Sequence, residues 1–197
     1  MGTCRAIRYF TSEPVPDELI DTVIWAATRA PSPGNSQGWD FVVVTDPDKR
    51  QAIGDAVSAA MSGRIGAMTA ADRSTRLMLA GAASLAAGLA SAPVLILVCG
   101  PVIYPAASPR ESFTWSAIYP AAANLIVGAR ALGLGTTFTT FHGAAEPAIR
   151  QICAIPAEIK IGALIPMGWP AREFGPVNRR PPAEFVHKNT WQGRLRD

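Results

Sequence analysis

Apolar positions along the chain fall into two periods, and the change between them marks the elements. Leu19, Ile20, Val23 and Ala27 share one helical face. That helix opens after Pro14 and Pro16 with Asp17-Glu18 at the positive end of its dipole, and Pro31 stops it. Phe41 to Val44 reads as a central strand. Asp46-Pro47 then pairs a capping carboxylate with a first-turn proline and starts a helix that runs to about residue 60. Residues 61–76 read either as a surface linker or as the start of the next helix. The unbroken apolar run Val94–Val98 predicts a strand buried on both faces, and Tyr104 to Arg110 a loop. A helix over 117–132 carries Leu125, Ile126, Ala129 and Leu132 and stops at Gly133. Thr136 to Phe141 is β-prone, Pro147 to Cys153 a short helix, and Ile159 to Met167 a further strand. From Gly168 onward proline forbids regular structure. Interleaved helices and strands make this a layered α/β or α+β domain.

Composition sharpens that picture. The 197 residues suit one domain, and a compact chain of 20.8 kDa would expose roughly 9,000 Å². With 49% hydrophobic residues, disorder is excluded. Only 17% are charged, against about 25% in an average domain, which points to surface hidden in a thick core or against a second copy of the chain. The formal charge of +3 is too small to imply nucleic-acid binding. Leu77 to Pro109 carries no charge and is long enough to span a bilayer. Its first half is mostly Ala, Gly and Ser, and Pro93 breaks it. It therefore reads as a small-residue helix packed in a soluble core or dimer, with no membrane partner. Cys4, Cys99 and Cys153 have neither disulfide nor zinc spacing, and no leader pattern precedes them, so a cytoplasmic setting is expected.

No phosphate-binding glycine loop, zinc motif or nucleophile elbow is present. His142 and His187 are isolated and read as structural. Cys4, beside Arg5, is either a redox-sensitive thiol or an exposed terminal residue. A well-made fold without an acid, base and nucleophile often takes its chemistry from a cofactor. Three segments fit one. Arg5 and Arg8 lie three apart on an arm that ends in Phe10, and two guanidinium forks suit a phosphate. Pro31-Ser32-Pro33-Gly34-Asn35-Ser36-Gln37 sets hydroxyl and amide groups on a stiff loop able to meet the polar edge of a flat heterocycle. Asn178-Arg179-Arg180-Pro181 is a second source of cations. Singly, these are solvated arginines, an ordinary turn and a charged end; their order carries the argument.

That order resembles the nitroreductase family of FMN-dependent oxidoreductases. The resemblance runs from the arm (Arg5, Arg8, Phe10) through Pro31–Trp39, Tyr119–Leu125 and Ala131–Thr136 to Ile165–Pro170 and Arg179-Arg180-Pro181. It implies an α+β three-layer sandwich with a central, mostly antiparallel sheet flanked by helices. The single domain spans residues 1–197, with an N-terminal arm over 1–14 and an extended C-terminal arm over 169–197. It further implies an intertwined homodimer holding FMN between subunits, with NADH or NADPH as electron donor. By matching motif, Arg5, Ala6 and Arg8 would approach the phosphate and ribityl chain. Pro31, Ser32, Pro33, Asn35 and Gln37 of the partner would wall the flavin, Thr137, Phe138 and Thr139 would run beside it, and Arg179 with Arg180 would return to the phosphate. Ala6 stands where many members have Ser, and Cys4 where many have a basic residue, so one contact and one charge are missing. The family's central Asn and Lys find no match in residues 61–76.

The implied activity is hydride transfer through the flavin to a nitroaromatic, quinone or similar small aromatic acceptor, with Phe113 and Trp115 as stacking candidates. Such chemistry requires no side-chain acid or base. A flavin-sequestering protein with little turnover is the alternative. Dehalogenating or flavin-fragmenting relatives carry a longer lid than this chain has residues for.

Overall fold

The structure is a computed structural model that describes residues 1–66, 72–191 and 193. Among these residues five α-helices surround one sheet: α1 (Asp17–Ala27), β1 (Asp40–Val44), α2 (Pro47–Gly66), α3 (Arg73–Ala87), β2 (Val94–Gly100), α4 (Glu111–Ala131), β3 (Gly135–Thr136), α5 (His142–Cys153) and β4 (Lys160–Gly168). The sheet order is β1-β2-β4-β3, and every pairing is antiparallel.

The apolar run in β2 places the two helical layers. Val94, Ile96 and Val98 face α1 and α4 through Val23, Ile118 and Leu125, all buried. The alternate residues Leu95, Leu97 and Cys99 face α2, α3 and α5 through Ile53, Leu85 and Ile149. A strand whose neighbours cover both faces has no polar side, which is why Val94 to Gly100 carries none. The register of β2 against β4 slips between Val98 and Cys99. This bulge carries β4 past Gly162, where a Cβ would fall 2.5 Å from Ile118 of α4. The α+β three-layer sandwich with an antiparallel sheet is thus the fold.

Local signals set most element ends. The Asp46 carboxylate accepts from the Lys49 N–H at 2.8 Å and opens α2. Gly133, at φ +83°, closes α4 while the N–H groups of Gly133 and Leu134 return to the carbonyls of Arg130 and Ala129. Four boundaries move. Helix α4 begins at Glu111 rather than 117 and passes through Pro120, and α2 runs to Gly66. Helix α5 includes a first turn from His142, with Ala145 out of helical geometry just before Pro147. Of the β-prone stretch 136–141, only Thr136 lies in a strand, and Thr139 adds one bridge to Leu164. Helix α3 accounts for the uncharged small-residue segment. The central part of the ambiguous 61–76 stretch, residues 67–71, lies outside the described residues. Among the described residues, no helix is long and apolar enough to cross a membrane, and no cluster of His, Cys, Asp and Glu could hold a metal ion.

Candidate functional site

The N-terminal arm is docked on the free edge of β3. Ala6 bridges Thr136 in parallel, the Ile7 N–H donates to the Thr136 carbonyl at 2.9 Å, and the Thr137 hydroxyl donates to the Ile7 carbonyl. Ile7 seats over Gly135, where a Cβ would lie 2.7 Å from the Ile7 methyl. Further along, Phe10 bridges Pro170, the Thr11 N–H donates to the Trp169 carbonyl at 2.9 Å, and the Ala171 N–H donates to the Tyr9 carbonyl at 3.0 Å. The C-terminal arm therefore runs back along the N-terminal one. The Val177 N–H donates to the Gly2 carbonyl at 3.0 Å, and Arg130 ties both arms by donating to the Thr3 hydroxyl and lying 3.6 Å over the Phe174 ring.

Between the arms lies a cleft of about 280 Å³ lined by Arg5, Ala6, Ile7, Arg8, Tyr9, Arg172 and Glu173. Its arginines are held apart on different supports. Arg5 reaches toward Gly175, Arg8 lies on α3 at Gly81, and Arg172 stacks 5.0 Å over Tyr9. Among the described residues, none of the three makes a side-chain hydrogen bond or ion pair, so their donors stay available. Three guanidinium charges and one carboxylate leave the lining at a net +2. A phosphate monoester carries about −2 near neutral pH, so the cleft is matched in charge to one. The donor set and the volume therefore fit the phosphate end of FMN.

Arg179 and Arg180, expected here from the sequence, lie outside this lining. The Arg179 guanidinium donates to the neighbouring Asn178 carbonyl at 3.1 Å, and Arg180 pairs with Glu184 at 3.3 Å and covers the Phe185 ring. The two chain ends do converge, but Arg172 is the C-terminal cation at the cleft, a residue that sequence spacing alone did not single out. Proximity to Tyr9 across 163 positions leaves no local signal.

The Pro31–Gln37 loop sits elsewhere. It precedes β1, at the opposite edge of the sheet from β3 and the arm. The Gln37 N–H donates to the Ser32 hydroxyl at 2.9 Å, Pro33 to Asn35 form one 3-10 turn, and Gly34 presses on the Tyr104 ring. Tyr104 in turn meets Phe113 edge-on at 5.3 Å, so Phe113 buttresses this loop. Asn35 and Gln37 hold φ of +50° and +47°, conformations that cost non-glycine residues on the order of 1 kcal/mol each. Both are exposed, and their amides bond nothing among the described residues. The loop is thus strained, rigid and aimed outward.

Thr137 and Thr139 are buried, and their hydroxyls are committed to the carbonyls of Ile7 and Leu164. Phe138 between them is exposed and meets Tyr119 edge-on at 6.1 Å, and Tyr119 stacks on Trp115 at 5.8 Å. Trp115 therefore belongs to an aromatic row along α4. Burial pushes the Cys99 thiol up to about 12, so it is inert packing, and burial raises Cys153 as well. Cys4 is half-buried beside the Ile126 carbonyl. His142 is buried with Nδ1 unpartnered, and burial holds its pKa below 6.5 against the pull of Glu146. His187 stacks on Trp191.

Comparison with known proteins bears on the family and the fold. The family described as Nitroreductase family matches residues 3–169. Iodotyrosine deiodinase 1 of Rattus norvegicus is 32% identical over 171 residues, 85% of this chain but 60% of the rat protein. The chain thus spans about 60% of the length of that relative. A putative NADH dehydrogenase/NAD(P)H nitroreductase of Archaeoglobus fulgidus is 26% identical over 194 residues, covering 96% of this chain and 95% of its own. The crystal structure of an oxidized iodotyrosine deiodinase bound to FMN and 3-iodo-L-tyrosine superposes with a TM-score of 0.74 at 20% identity, covering 94% of this chain and 95% of its own, which establishes the likeness of fold.

Proposed function

The chain belongs to the Nitroreductase family, and from that premise we propose that it is an FMN-dependent oxidoreductase, a homodimer taking electrons from NADH or NADPH and delivering them to a small electron-poor aromatic acceptor. The observation that carries this reading is the separation of two site fragments. The cationic cleft lies beside β3 at one sheet edge, while the strained polar loop precedes β1 at the other. Three strand spacings of about 4.8 Å divide these edges, helices cover both faces of the sheet between them, and no residue of the loop lines the cleft within one copy. A second copy that brings its Pro31–Gln37 loop to the first copy's cleft completes a site. The exposed surface fits this. It measures 11379 Å² against the roughly 9,000 Å² of a compact chain, an excess of the size an obligate interface buries.

In this arrangement Arg5 and Arg8 bind the phosphate, the arm backbone at Ala6 lies along the ribityl chain, and Thr137 holds the arm against the sheet while Phe138 and Thr139 continue beside it. Pro31, Ser32, Pro33, Asn35 and Gln37 of the second copy would line the ring and exclude water. The family resemblance alone assigns Arg179 and Arg180 to the phosphate, since within one copy both lie outside the cleft. FMN, when bound, supplies hydride acceptance and delivery, so the protein's own task is to position donor and acceptor in turn. The row of half-buried Trp115 and exposed Tyr119 and Phe138 offers flat apolar surface for an aromatic acceptor.

The test is the visible spectrum of the purified protein, followed by anaerobic titration. Flavin bands at one per chain that bleach within seconds on adding NADH or NADPH, and return with a quinone or nitroaromatic, support the reading. A flavin that binds but does not bleach would make this a sequestering protein. A second activity, reductive removal of halogen from a halotyrosine, is favoured by the 32% identity to the rat deiodinase, against the expectation that this chain is too short for such an enzyme's lid. Iodide release from 3-iodo-L-tyrosine by the reduced protein separates it from quinone reduction.

A further inference from the structure

The geometry points to Gly81 of α3 as a positioning residue: its missing side chain is the seat on which Arg8 lies, and that seat aims the Arg8 guanidinium into the cleft. The inference rests on the FMN-binding reading and deepens it. A Cβ at Gly81 would stand 3.1 Å from Arg8 Cδ, 3.4 Å from Nη1 and 3.5 Å from Nε. These distances bring stem and head together onto one spot of the helix. No polar contact fixes this side chain, since among the described residues Arg8 makes neither a side-chain hydrogen bond nor an ion pair. The opposite side of the arm is settled the same way, Ile7 over Gly135 at 2.7 Å. The arm is therefore clasped between two glycines, one in the sheet and one in α3. A methyl at 81 pushes the Arg8 stem by a few tenths of an ångström and a larger side chain lifts the guanidinium away from the helix, while the arm's backbone bonds to Thr136 and Thr137 stay in place. This gives α3 a role beyond packing and explains why a residue that weakens helices sits in the interior of one.

The experiment compares Gly81→Ala and Gly81→Leu, each alone and combined with Arg8→Ala, as apoproteins titrated with FMN by flavin fluorescence. Thermal midpoints of the same apoproteins are recorded alongside. Alanine favours helix over glycine, so Gly81→Ala is expected to melt no lower than the parent and yet to bind FMN more weakly. Gly81→Leu weakens binding by about tenfold, the scale of one displaced charge-assisted bond. In the Arg8→Ala background neither substitution weakens FMN further, because the group that Gly81 seats is gone. Unchanged affinity in Gly81→Ala and Gly81→Leu, or an equal loss with and without Arg8, overturns the inference. A Gly81→Leu chain that fails to fold leaves Gly81→Ala to decide. A parent protein that binds no FMN in this titration sinks the underlying functional reading instead, which keeps the two failures distinct.

Discussion

Removing Arg5 tests the charge match of the cleft. The lining carries a net +2 from Arg5, Arg8, Arg172 and Glu173, and Arg5→Ala lowers it to +1 against a phosphate of about −2. A hydrogen bond to a charged group contributes about 1.5–3 kcal/mol. Arg5 is exposed, so solvent screening places it at the lower end, near 1.5 kcal/mol, or about tenfold in FMN affinity. Arg8 is half-buried, and its loss belongs nearer the upper end, about 100-fold. Fluorescence titration with FMN and with riboflavin in parallel reads both effects. Arg5→Ala should weaken FMN and leave riboflavin nearly untouched, because riboflavin has no phosphate, and the FMN loss should shrink at high salt. Equal losses for the two ligands, or none, would refute the assignment of Arg5 to a phosphate.

Two further expectations concern the fold. Arg50 donates to the carbonyls of Thr45, Ala90 and Ala92 at 3.2, 2.8 and 2.8 Å, stapling α2 to the turn before β2. Arg50→Ala strands those carbonyls at about 1–2 kcal/mol, lowering the apoprotein's melting midpoint by roughly 3–6 °C, and an unchanged midpoint contradicts this. Burial holds the folded His142 below its free value of 6.5, so the unfolded chain takes up the proton first. Stability is then full above about pH 6.5 and falls as pH drops through the lowered folded value. Asp72, held low by its bonds to Thr75, titrates below 3.8 and stays out of that window. Urea midpoints between pH 5 and 7.5 should slope in the parent and flatten in His142→Phe; identical slopes would remove His142 as the cause.

The elements were legible where one residue dictates a local geometry. Asp46-Pro47 opened α2, Gly133 closed α4, and the wholly apolar Val94–Val98 announced a strand covered on both faces. Local rules misled where tertiary packing overrode them. The helix expected over 117–132 starts two turns earlier, at Glu111, and runs through Pro120, its Ala117, Ala121 and Leu125 face buried throughout. Thr136–Phe141 has strand composition, but Thr137 and Thr139 spend their hydroxyls on Ile7 and Leu164 and the ladder ends. The arm and the Pro31–Gln37 loop were legible as chemistry because arginine forks and turn-forming amides are local patterns. Arg172 and Gly81 were not, since each matters only through a neighbour more than seventy residues or more away in sequence, Tyr9 and Arg8.

The central claim is that one copy supplies the cationic arm and the other the loop, and subunit mixing tests it most directly. An Arg5→Ala/Arg8→Ala chain and a Ser32→Ala/Asn35→Ala/Gln37→Ala chain, each too weak to retain FMN alone, are unfolded together and reassociated. Mixed dimers then hold one intact arm facing one intact loop, and random pairing should restore about a quarter of the parent's FMN sites. Restoration of none, with dimers formed normally, would mean that arm and loop serve the flavin from the same chain and that the account is wrong.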